Sequence, residues 1–283
     1  MKNWIGVTSD NGMKCFVCGS KDLRKIAEIK KKPDVETDYS IPAEKYFRTI
    51  CQCENCLAYN NIHDLIIDEK KFYEGDYNKA IDPGRLKNRF DKIISIEFSK
   101  SDNKKRVSRI LEFLEAQPNS EKKSVLDVGS GTCVFLYELK KQADFEGYCI
   151  DPDPNAVEHA IKYCGVKEAH CGDVFDFKPA TDFSLITFNK VLEHTKEPVE
   201  ILKKAKQFLS KGGFIYIELP EGDRIIGNRS VDVRAEFAVE HFTIFNNKSI
   251  SVLAGMAKLS ILKKGVITDP SGKYTIYAFL NKN

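Results

Sequence analysis

The stretch that decides the fold reads VLDVGSGTC and occupies residues 125–133. A short apolar run that includes Asp127 leads directly into a bend with Gly129 and Gly131, where the chain can turn tightly and a ligand can approach the backbone. The helix predicted to follow begins with free backbone N–H groups that suit a polar ligand. A dinucleotide fingerprint would require a third glycine where this chain has Val134, which weakens that interpretation.

Strands and helices alternate from residue 124 onward. The apolar runs predict five strands separated by helices, at 125–128, 146–150, 168–171, 183–188 and 214–219. Such alternation is typical of an α/β fold, in which helices cover both faces of a parallel sheet. Two further predicted strands, 260–268 and 274–280, flank a turn that reads Asp-Pro-Ser-Gly and should therefore pair antiparallel.

Three aspartates stand at the predicted carboxyl ends of successive strands. Asp127 lies just before the glycine turn, Asp151 closes the second strand, and Asp173 follows the third. The carboxyl ends of parallel strands meet at one crevice, which is where open α/β sheets bind their ligands. Asp151 also stands at about the distance from the glycines at which an acidic residue meets ribose hydroxyls in nucleotide-binding crevices. The sequence therefore predicts a ligand site at this edge of the sheet.

At these residues, and over positions 124–280, the chain resembles the class I S-adenosylmethionine-dependent methyltransferases. The segments FSLITFNKVLEHTKEP (183–198) and SKGGFIYIELP (210–220) are similar to the fourth and fifth strand regions of that family. The resemblance implies a Rossmann-like methyltransferase sheet that ends in an antiparallel strand pair. It also implies the cofactor-binding residues, which are Asp127, Gly129, Gly131, Asp151, Asp173 and Asn189.

The resemblance assigns a role to most of these residues. The aspartate before the turn and the two glycines would line the methionine part of S-adenosylmethionine. Asp151 would hold the ribose hydroxyls, and Asp173 would face the adenine amino group. Cys133 stands where the family usually has a further glycine, and we expect only local crowding from its side chain.

The composition of this 283-residue chain is that of a folded protein with nearly balanced charge. Apolar residues make up 42% and charged residues 30%, which supports a packed core and argues against disorder. The net charge of +3 is low for a protein that coats nucleic-acid backbones. The sequence shows neither an apolar run of membrane-spanning length nor a secretory signal, so we expect a cytoplasmic protein.

Composition and pattern divide the chain into three parts. Residues 1–68 form a small cysteine-rich module, and residues 69–110 form a basic helical linker that is interrupted near residues 101–103. Residues 111–283 form the cofactor-binding domain. Within that domain, an insertion at 220–245 is expected to lie over the active site.

The N-terminal module contains two Cys-x-x-Cys pairs, and both pairs are expected to bind one zinc ion. Two such turns brought together by strands make a zinc ribbon, and the predicted ligands are Cys15, Cys18, Cys53 and Cys56. Cys51 is an alternative to Cys53, and His63 is a weaker alternative ligand. Four thiolates close the coordination sphere, so we expect a structural zinc ion with no catalytic role.

Zinc-binding segments of this kind resemble those of methyltransferases from sugar, surface-polysaccharide and natural-product pathways. Some of those enzymes carry a large extra C-terminal domain and methylate carbon. The sequence given ends after the last strand pair, so it is similar to the shorter type that methylates a heteroatom. We therefore expect O-methylation of a small acceptor that is sugar-like or anionic.

Two histidines are the candidate catalytic residues. His194 follows the fourth strand, and His241 lies near the end of the insertion, next to Glu240. A hydroxyl acceptor benefits from a base whose pKa is near neutrality, which favours histidine. We expect His241 to act as the base, His194 to position the acceptor, and Glu240 to contact it.

Arginines in the insertion suggest that the acceptor carries a phosphate. Arg224, Arg229 and Arg234 fall within eleven residues of one another. The planar guanidinium group suits phosphate oxygens because it donates two parallel hydrogen bonds. A phosphorylated or nucleotide-linked sugar would satisfy this preference, whereas a solvated surface loop is the alternative explanation.

Other functions are consistent with parts of the sequence. An RNA-modifying methyltransferase could use the zinc module and the basic residues between Arg85 and Arg109 to follow a phosphate backbone. The near-neutral charge and the lack of an aromatic stripe argue against that function, so nucleic acid is not the expected partner. A non-enzymatic, zinc-stapled binding module is a third alternative, and a nicotinamide oxidoreductase is a distant fourth.

Overall fold

Apolar strand segments build two separate sheets in the described part of this protein. The computed structural model describes residues 13–65, 67, 83–117, 124–228 and 234–282. Strands of the N-terminal part are β1 (Leu23–Ile29), β2 (Arg48–Cys53) and β3 (Tyr59–Ile62). Those of the larger part are β4 (Ser124–Val128), β5 (Glu146–Asp151), β6 (Glu168–Cys171), β7 (Phe183–Asn189), β8 (Leu209–Pro220), β9 (Thr243–Ile244), β10 (Leu259–Thr268) and β11 (Tyr274–Lys282).

Seven of these strands form the central sheet, in the order β10-β11-β8-β7-β4-β5-β6. Strands β4 to β8 are mutually parallel, and β11 runs antiparallel to both β8 and β10. The strand order reverses between β4 and β7, which creates the crevice where α/β sheets bind ligands. The predicted α/β class, parallel sheet and terminal antiparallel pair are confirmed.

Helices cover both faces of this sheet, as the apolar strands require. They are α1 (Pro83–Ser95), α2 (Asp102–Glu115), α3 (Val134–Gln142), α4 (Pro154–His159), α5 (Pro198–Ala205), α6 (Gly222–Asn228) and α7 (Asn247–Met256). On one face Phe113 of α2 stacks on Phe279 of β11, with 3.8 Å between ring centroids. On the other face Leu202 and Leu253 are fully buried. None of the helices within the described ranges has the length and apolar character that a bilayer crossing requires.

The linker differs in detail from its prediction. Two helices, α1 and α2, are separated by residues 96–101, slightly before the predicted interruption. The side chain of Ser101 caps α2 by accepting a hydrogen bond from the backbone N–H of Lys104, which fixes the start of that helix. Helix α2 continues to Glu115 and so passes the boundary placed at residue 110.

The insertion at 220–245 completes the N-terminal sheet. Strand β9 lies within the insertion and pairs antiparallel with β3, so the small sheet has the order β1-β2-β3-β9. The backbone N–H of Asn61 donates to the carbonyl of Phe242 at 2.9 Å, and the side chain of Asn61 donates to the carbonyl of Ala238 at 3.0 Å. The cysteine-rich module and the insertion therefore share one hydrogen-bonded sheet.

A buried arginine reinforces this junction. Arg48 is 1% exposed and pairs with Glu36, whose second carboxylate oxygen accepts a hydrogen bond from Tyr46. The guanidinium group also donates to the backbone carbonyl of Phe237 at 2.6 Å. Arg48 thus connects a charge of the module to the backbone of the insertion.

We expect Arg48→Ala to lower the free energy of unfolding by about 3–5 kcal/mol, because Glu36 would stay buried without its cationic partner. Urea denaturation followed by circular dichroism measures the loss. Arg24→Ala is the matched control, since Arg24 is exposed and bonds only to Gln52 among its described contacts; its change should stay within about 1 kcal/mol. Equal losses in both variants would contradict the assigned role of Arg48.

Candidate functional site

The glycine turn between β4 and α3 forms the base of the crevice. Gly129, Gly131 and Cys133 all have left-handed backbone conformations, with φ of 73°, 51° and 55°. The backbone N–H of Gly129 donates to the carbonyl of Ile150 in β5 at 2.8 Å, which ties the turn to the neighbouring strand. A Cβ on Gly131 would meet no atom within 4 Å, so the space above that residue is open to a ligand.

The backbone conformation at Cys133 explains why glycine suits this position. Its side chain is fully buried. Its backbone, however, takes the left-handed conformation, which costs a non-glycine residue about 1–2 kcal/mol. The consequence of the cysteine is therefore backbone strain next to the ligand site, in addition to the local crowding that the sequence predicts.

Asp127 is the most enclosed of the three predicted aspartates, with 2% exposure. One of its oxygens accepts hydrogen bonds from the hydroxyl of Thr187 at 2.6 Å and the amide of Asn189 at 2.9 Å. Burial raises the pKa of Asp127 to about 7, although these two hydrogen bonds act in the opposite direction. The carboxylate can therefore gain or lose its proton near neutral pH.

Polar atoms without partners face the same region. Within the described part of the chain, Asn189 Oδ1 and Ser130 Oγ are buried and have no hydrogen-bond partner. Buried polar atoms are normally satisfied, so such orphans indicate a polar ligand. Asn189 donates to Asp127 through its amide nitrogen, so its carbonyl oxygen is left to accept a hydrogen bond from a ligand.

The two other predicted aspartates lie at the next strand ends. Asp151 is 6% exposed and accepts hydrogen bonds from the backbone N–H groups of Gly131 at 2.7 Å and Asp153 at 3.0 Å. Burial raises its pKa to about 6. Asp173 is half-buried and caps the turn after β6 by accepting from the backbone N–H of Phe175 at 2.6 Å. The structure therefore places all three aspartates along one edge of the sheet.

A buried charge network that the sequence analysis missed lies beside Asp127. Glu218 of β8 is 1% exposed and pairs with Arg106 at 2.6 Å and Arg109 at 3.0 Å, both on α2. Burial would raise the pKa of Glu218, but these arginines and Lys190 hold it well below its usual range. Arg106 also favours the ionised form of Asp127, so this network sets the charge balance of the crevice.

Only one sequence signal pointed to this network. Arg106 and Arg109 stand three residues apart on α2 and so share a helix face, but their partner is more than a hundred residues away. Both side chains turn inward, with 12% and 14% exposure. They are therefore not part of an exposed surface that could follow a nucleic-acid backbone.

The two predicted catalytic histidines meet at one end of the crevice. His194 and His241 have ring centroids 4.6 Å apart. The Nδ1 atom of His194 is 3.2 Å from the carbonyl of Glu240, and that of His241 is 2.8 Å from the carbonyl of Glu236. Removal from water, together with the neighbouring His241, lowers the pKa of His194 well below its usual value. His194 is therefore neutral at physiological pH.

Local backbone structure explains why these histidines meet. His194 ends a short 3-10 helix (Leu192–His194) that begins just after Val191, and Val191 is two residues beyond the end of β7. Val191 packs against the glycine turn, because a Cβ on Gly129 would lie 2.7 Å from its side chain. The backbone N–H of Phe242 donates to the carbonyl of Glu193 at 2.7 Å, which holds the insertion against the same helix.

Two of the three predicted substrate-binding arginines lie near one aromatic ring. Arg224 is exposed, and its guanidinium carbon is 5.9 Å from the centre of the Tyr274 ring. Arg234 is 5.6 Å from the same ring, but its guanidinium group also makes two hydrogen bonds to Glu236. Arg229 lies outside the described residues. The structure therefore brings two arginines together and leaves Arg224 as the more accessible one.

The four predicted zinc ligands form one cluster. Their sulfur atoms lie within 4.8 Å of one another, and the closest pairs are Cys15–Cys56 at 3.4 Å and Cys18–Cys53 at 3.5 Å. Thiolates on a tetrahedral zinc ion, at about 2.3 Å from the metal, stand roughly 3.8 Å apart, so the cluster fits zinc closely. Cys51 lies on β2 outside the cluster, which favours Cys53 as the ligand.

The two cysteine turns have the same backbone conformation. Gly19 and Leu57 each stand four residues after the first cysteine of their pair, and both adopt left-handed φ values of 72° and 62°. Each donates its N–H to the carbonyl of that cysteine at 2.9 Å. The repeated turn presents two sulfur atoms from each pair toward a common centre.

We expect Gly129→Ala to destabilise the protein more than Gly131→Ala. Both substitutions cost about 1–2 kcal/mol because of their left-handed backbone, and the Gly129 variant adds about 1–3 kcal/mol through its clash with Val191. Urea denaturation of the two variants measures the difference. Equal losses would show that Val191 moves away without cost.

Other solved structures share this fold. The plantazolicin methyltransferase BpumL in complex with SAH is 14% identical, with a TM-score of 0.56 over 76% of this chain and 93% of BpumL. The magnesium protoporphyrin IX methyltransferase ChlM from Synechocystis is 15% identical, with a TM-score of 0.54 over 76% and 100% of the two chains. DesVI from Streptomyces venezuelae is 16% identical, with a TM-score of 0.51 over 72% and 100%. At this identity the likeness concerns the fold.

The family itself follows from the sequence. A comparison with curated proteins finds no significant match. Residues 99–263, which are more than half of the chain, match a family model described as a methyltransferase domain. The chain therefore belongs to this methyltransferase family, and the protein is a methyltransferase that depends on S-adenosylmethionine.

Proposed function

We propose that the protein transfers a methyl group from S-adenosylmethionine to an oxygen atom of a sugar-like small molecule that carries a phosphate. The base is His241, and a zinc ion on the four clustered cysteines has a structural role. The observation that carries the proposal is the partly buried pair of His194 and His241, which meets where the insertion closes on the crevice.

The residues at the strand ends fit the methyl donor. S-adenosylmethionine, when bound, supplies a methyl group already activated on a sulfonium. Asp127 and the orphaned oxygen of Asn189 would attract the ammonium group of its methionine part, and the unpartnered hydroxyl of Ser130 would bind a polar group above the glycine turn. Asp151 would accept from the ribose hydroxyls, and Asp173 would face the adenine.

The hydrogen bonds of His241 prepare it to accept a proton. Because a carbonyl oxygen can only accept, the Nδ1 atom that faces the carbonyl of Glu236 carries a hydrogen, and the lone pair is on Nε2. His194 is neutral and so does not repel a protonated His241. A carboxylate oxygen of Glu193 lies within 4.8 Å of a ring nitrogen of each histidine, so the ionised form of Glu193 would stabilise the imidazolium. General-base catalysis by such a histidine is typically worth about 10²–10⁴-fold in rate.

The acceptor's phosphate would bind at the exposed end of the insertion. Arg224 is accessible there beside Tyr274, and its guanidinium group can donate to two phosphate oxygens. Arg234 pairs with Glu236, which neutralises its charge, so Arg234 would contribute less than Arg224 to phosphate binding. Arg229 and Glu240 are further proposed contacts of the acceptor.

Methyl transfer from S-adenosylmethionine carrying a ¹³C-methyl group tests the function. The acceptors are a panel of nucleotide-linked hexoses, the same hexoses without phosphate, and a structured RNA. We expect transfer to nucleotide-linked hexoses, and the carbon chemical shift of the product should be that of an O-methyl group. A C-methyl or N-methyl product, methylation of RNA only, or no product from any sugar would contradict the proposal.

Two variants locate the chemistry in the same assay. His241→Gln should lower kcat by about 10²–10⁴-fold with a small change in KM, because it removes the base. Arg224→Ala should raise KM for the phosphorylated acceptor and leave kcat nearly unchanged. His170→Gln is the matched histidine control, since His170 lies on β6 away from the pair.

The affinity for S-adenosylmethionine should depend on pH through Asp127. Its carboxylate attracts the methionine ammonium. Because the pKa of Asp127 is about 7, the carboxylate becomes protonated and loses its negative charge as the pH falls below 7. Proton linkage then predicts affinity that is about tenfold weaker at about pH 6 than at about pH 7.5. Isothermal titration calorimetry at the two pH values measures the ratio.

Substitutions separate this effect from a general effect of pH. Asp127→Asn should bind weakly at both pH values and lose the dependence, because the amide does not titrate. Asp144→Asn, at an exposed position after α3, should keep the dependence of the wild-type protein. A pH dependence that survives in Asp127→Asn would assign it to another group, such as Asp151.

A further inference from the structure

One group of side chains outside the cysteine cluster has the composition of a metal site. Glu193, His194 and His241 each place one ligand-type atom within 4.8 Å of those of the other two. Among the described residues, only this group and the four cysteines meet that geometric condition. Two imidazoles and one carboxylate are a common ligand set for divalent transition metals, and an ion so bound keeps positions open for other ligands.

Both histidines have the outer hydrogen bond that metal-binding histidines usually have. The Nδ1 atoms of His194 and His241 face the backbone carbonyls of Glu240 and Glu236, at 3.2 Å and 2.8 Å. A carbonyl in this position fixes the orientation and the tautomer of the ring, so that the Nε2 atom carries the lone pair. Each ring therefore has the tautomer in which Nε2 can bind a metal ion.

Glu193 provides independent evidence for a cation. It is 1% exposed, and its Oε2 atom is buried without a hydrogen-bond partner in the described part of the structure. An unpaired buried carboxylate oxygen costs free energy, because burial removes its hydrogen bonds to water and no protein group replaces them. The backbone around it is rigidly held, since the Glu193 carbonyl accepts the N–H of Phe242 at 2.7 Å. A bound cation would satisfy this oxygen.

We propose that Glu193, His194 and His241 form a second metal site that binds a divalent transition-metal ion such as zinc. The sphere needs a small contraction, because two ligands at about 2.0–2.1 Å from zinc are at most about 4 Å apart. Small shifts of the three side chains that keep the outer hydrogen bonds of both rings supply it. The site is separate from the cysteine cluster in ligand chemistry and in its open coordination positions.

The site has a consequence for catalysis, and that consequence rests on the proposed function. A metal ion on His241 occupies the lone pair that the base uses to take the proton of the acceptor. Excess zinc should therefore inhibit methyl transfer, because the zinc ion and the proton of the acceptor compete for the same nitrogen of His241. The His241 imidazole can therefore either bind the metal ion or act as the base, but not both at once.

Zinc titration of the full-length protein tests the metal site without acceptor or S-adenosylmethionine. The protein is first loaded with the zinc that its cysteines bind, and further Zn²⁺ is then added in a calorimeter while metal content is measured after gel filtration. We expect the wild-type protein to take up one further equivalent. Glu193→Gln and His241→Gln should each lose that uptake while they keep the cysteine-bound zinc.

Two matched variants control for unspecific binding. Glu240→Gln removes the neighbouring carboxylate, whose Oε2 atom is also buried without a described partner, and His170→Gln removes a histidine elsewhere. Both should retain the second equivalent. The proposal is overturned if the wild-type protein takes up no further zinc, or if Glu193→Gln and His241→Gln still do. Retention of the cysteine-bound zinc and of the near-ultraviolet circular dichroism spectrum shows that the variants are folded.

The two proposals fail separately in these experiments. Metal uptake requires no methyl acceptor, so an incorrect acceptor class leaves the titration unchanged. Conversely, a protein without the second zinc equivalent can still use His241 as a base, which the kinetic assay with His241→Gln detects.

Discussion

The hydrogen bonds between the N-terminal sheet and the insertion determine where His241 stands. Strand β3 pairs with β9, Asn61 binds the backbone at Ala238 and Phe242, and Arg48 binds the carbonyl of Phe237. In its described residues, 220–228 and 234–245, the insertion contributes a short helix, a 3-10 turn and a two-residue strand, so this part has little regular structure of its own. The cysteine-rich module is therefore a scaffold that fixes the insertion, and with it His241, against the methyltransferase sheet.

Several acidic groups lie at the crevice, and the charges around each of them give them different pKa values. Glu218 stays ionised because Arg106, Lys190 and Arg109 outweigh the cost of its burial. Asp127 is equally enclosed, but its hydrogen-bond donors among the described residues are neutral, and its pKa is about 7. Two buried carboxylates, on strands β4 and β8 to either side of β7, thus differ in protonation: Glu218 keeps its charge, whereas the charge of Asp127 changes near neutral pH.

The sequence was sufficient for the main fold because its signals are local. Buried parallel strands are short apolar runs, and the glycine turn and Cys-x-x-Cys pairs need only neighbouring residues to be recognised. The pairing of β9 was not predictable, since two residues have no periodicity. The ion pairs of Glu218 join residues more than a hundred positions apart, and the strain at Cys133 depends on a backbone angle that the residue type disfavours. The roles of the histidines and arginines remain predictions.

The shared sheet also has a consequence for biosynthesis. Ribosomes synthesise β1, β2 and β3 early, whereas β9 emerges only after five of the seven strands of the methyltransferase sheet. During that interval the outer side of β3 is an open edge, and open edges readily pair with strands of other molecules. Contacts this distant in sequence also form slowly. Nascent chains should therefore be most vulnerable to aggregation at Tyr59–Ile62 until their own distant strand arrives.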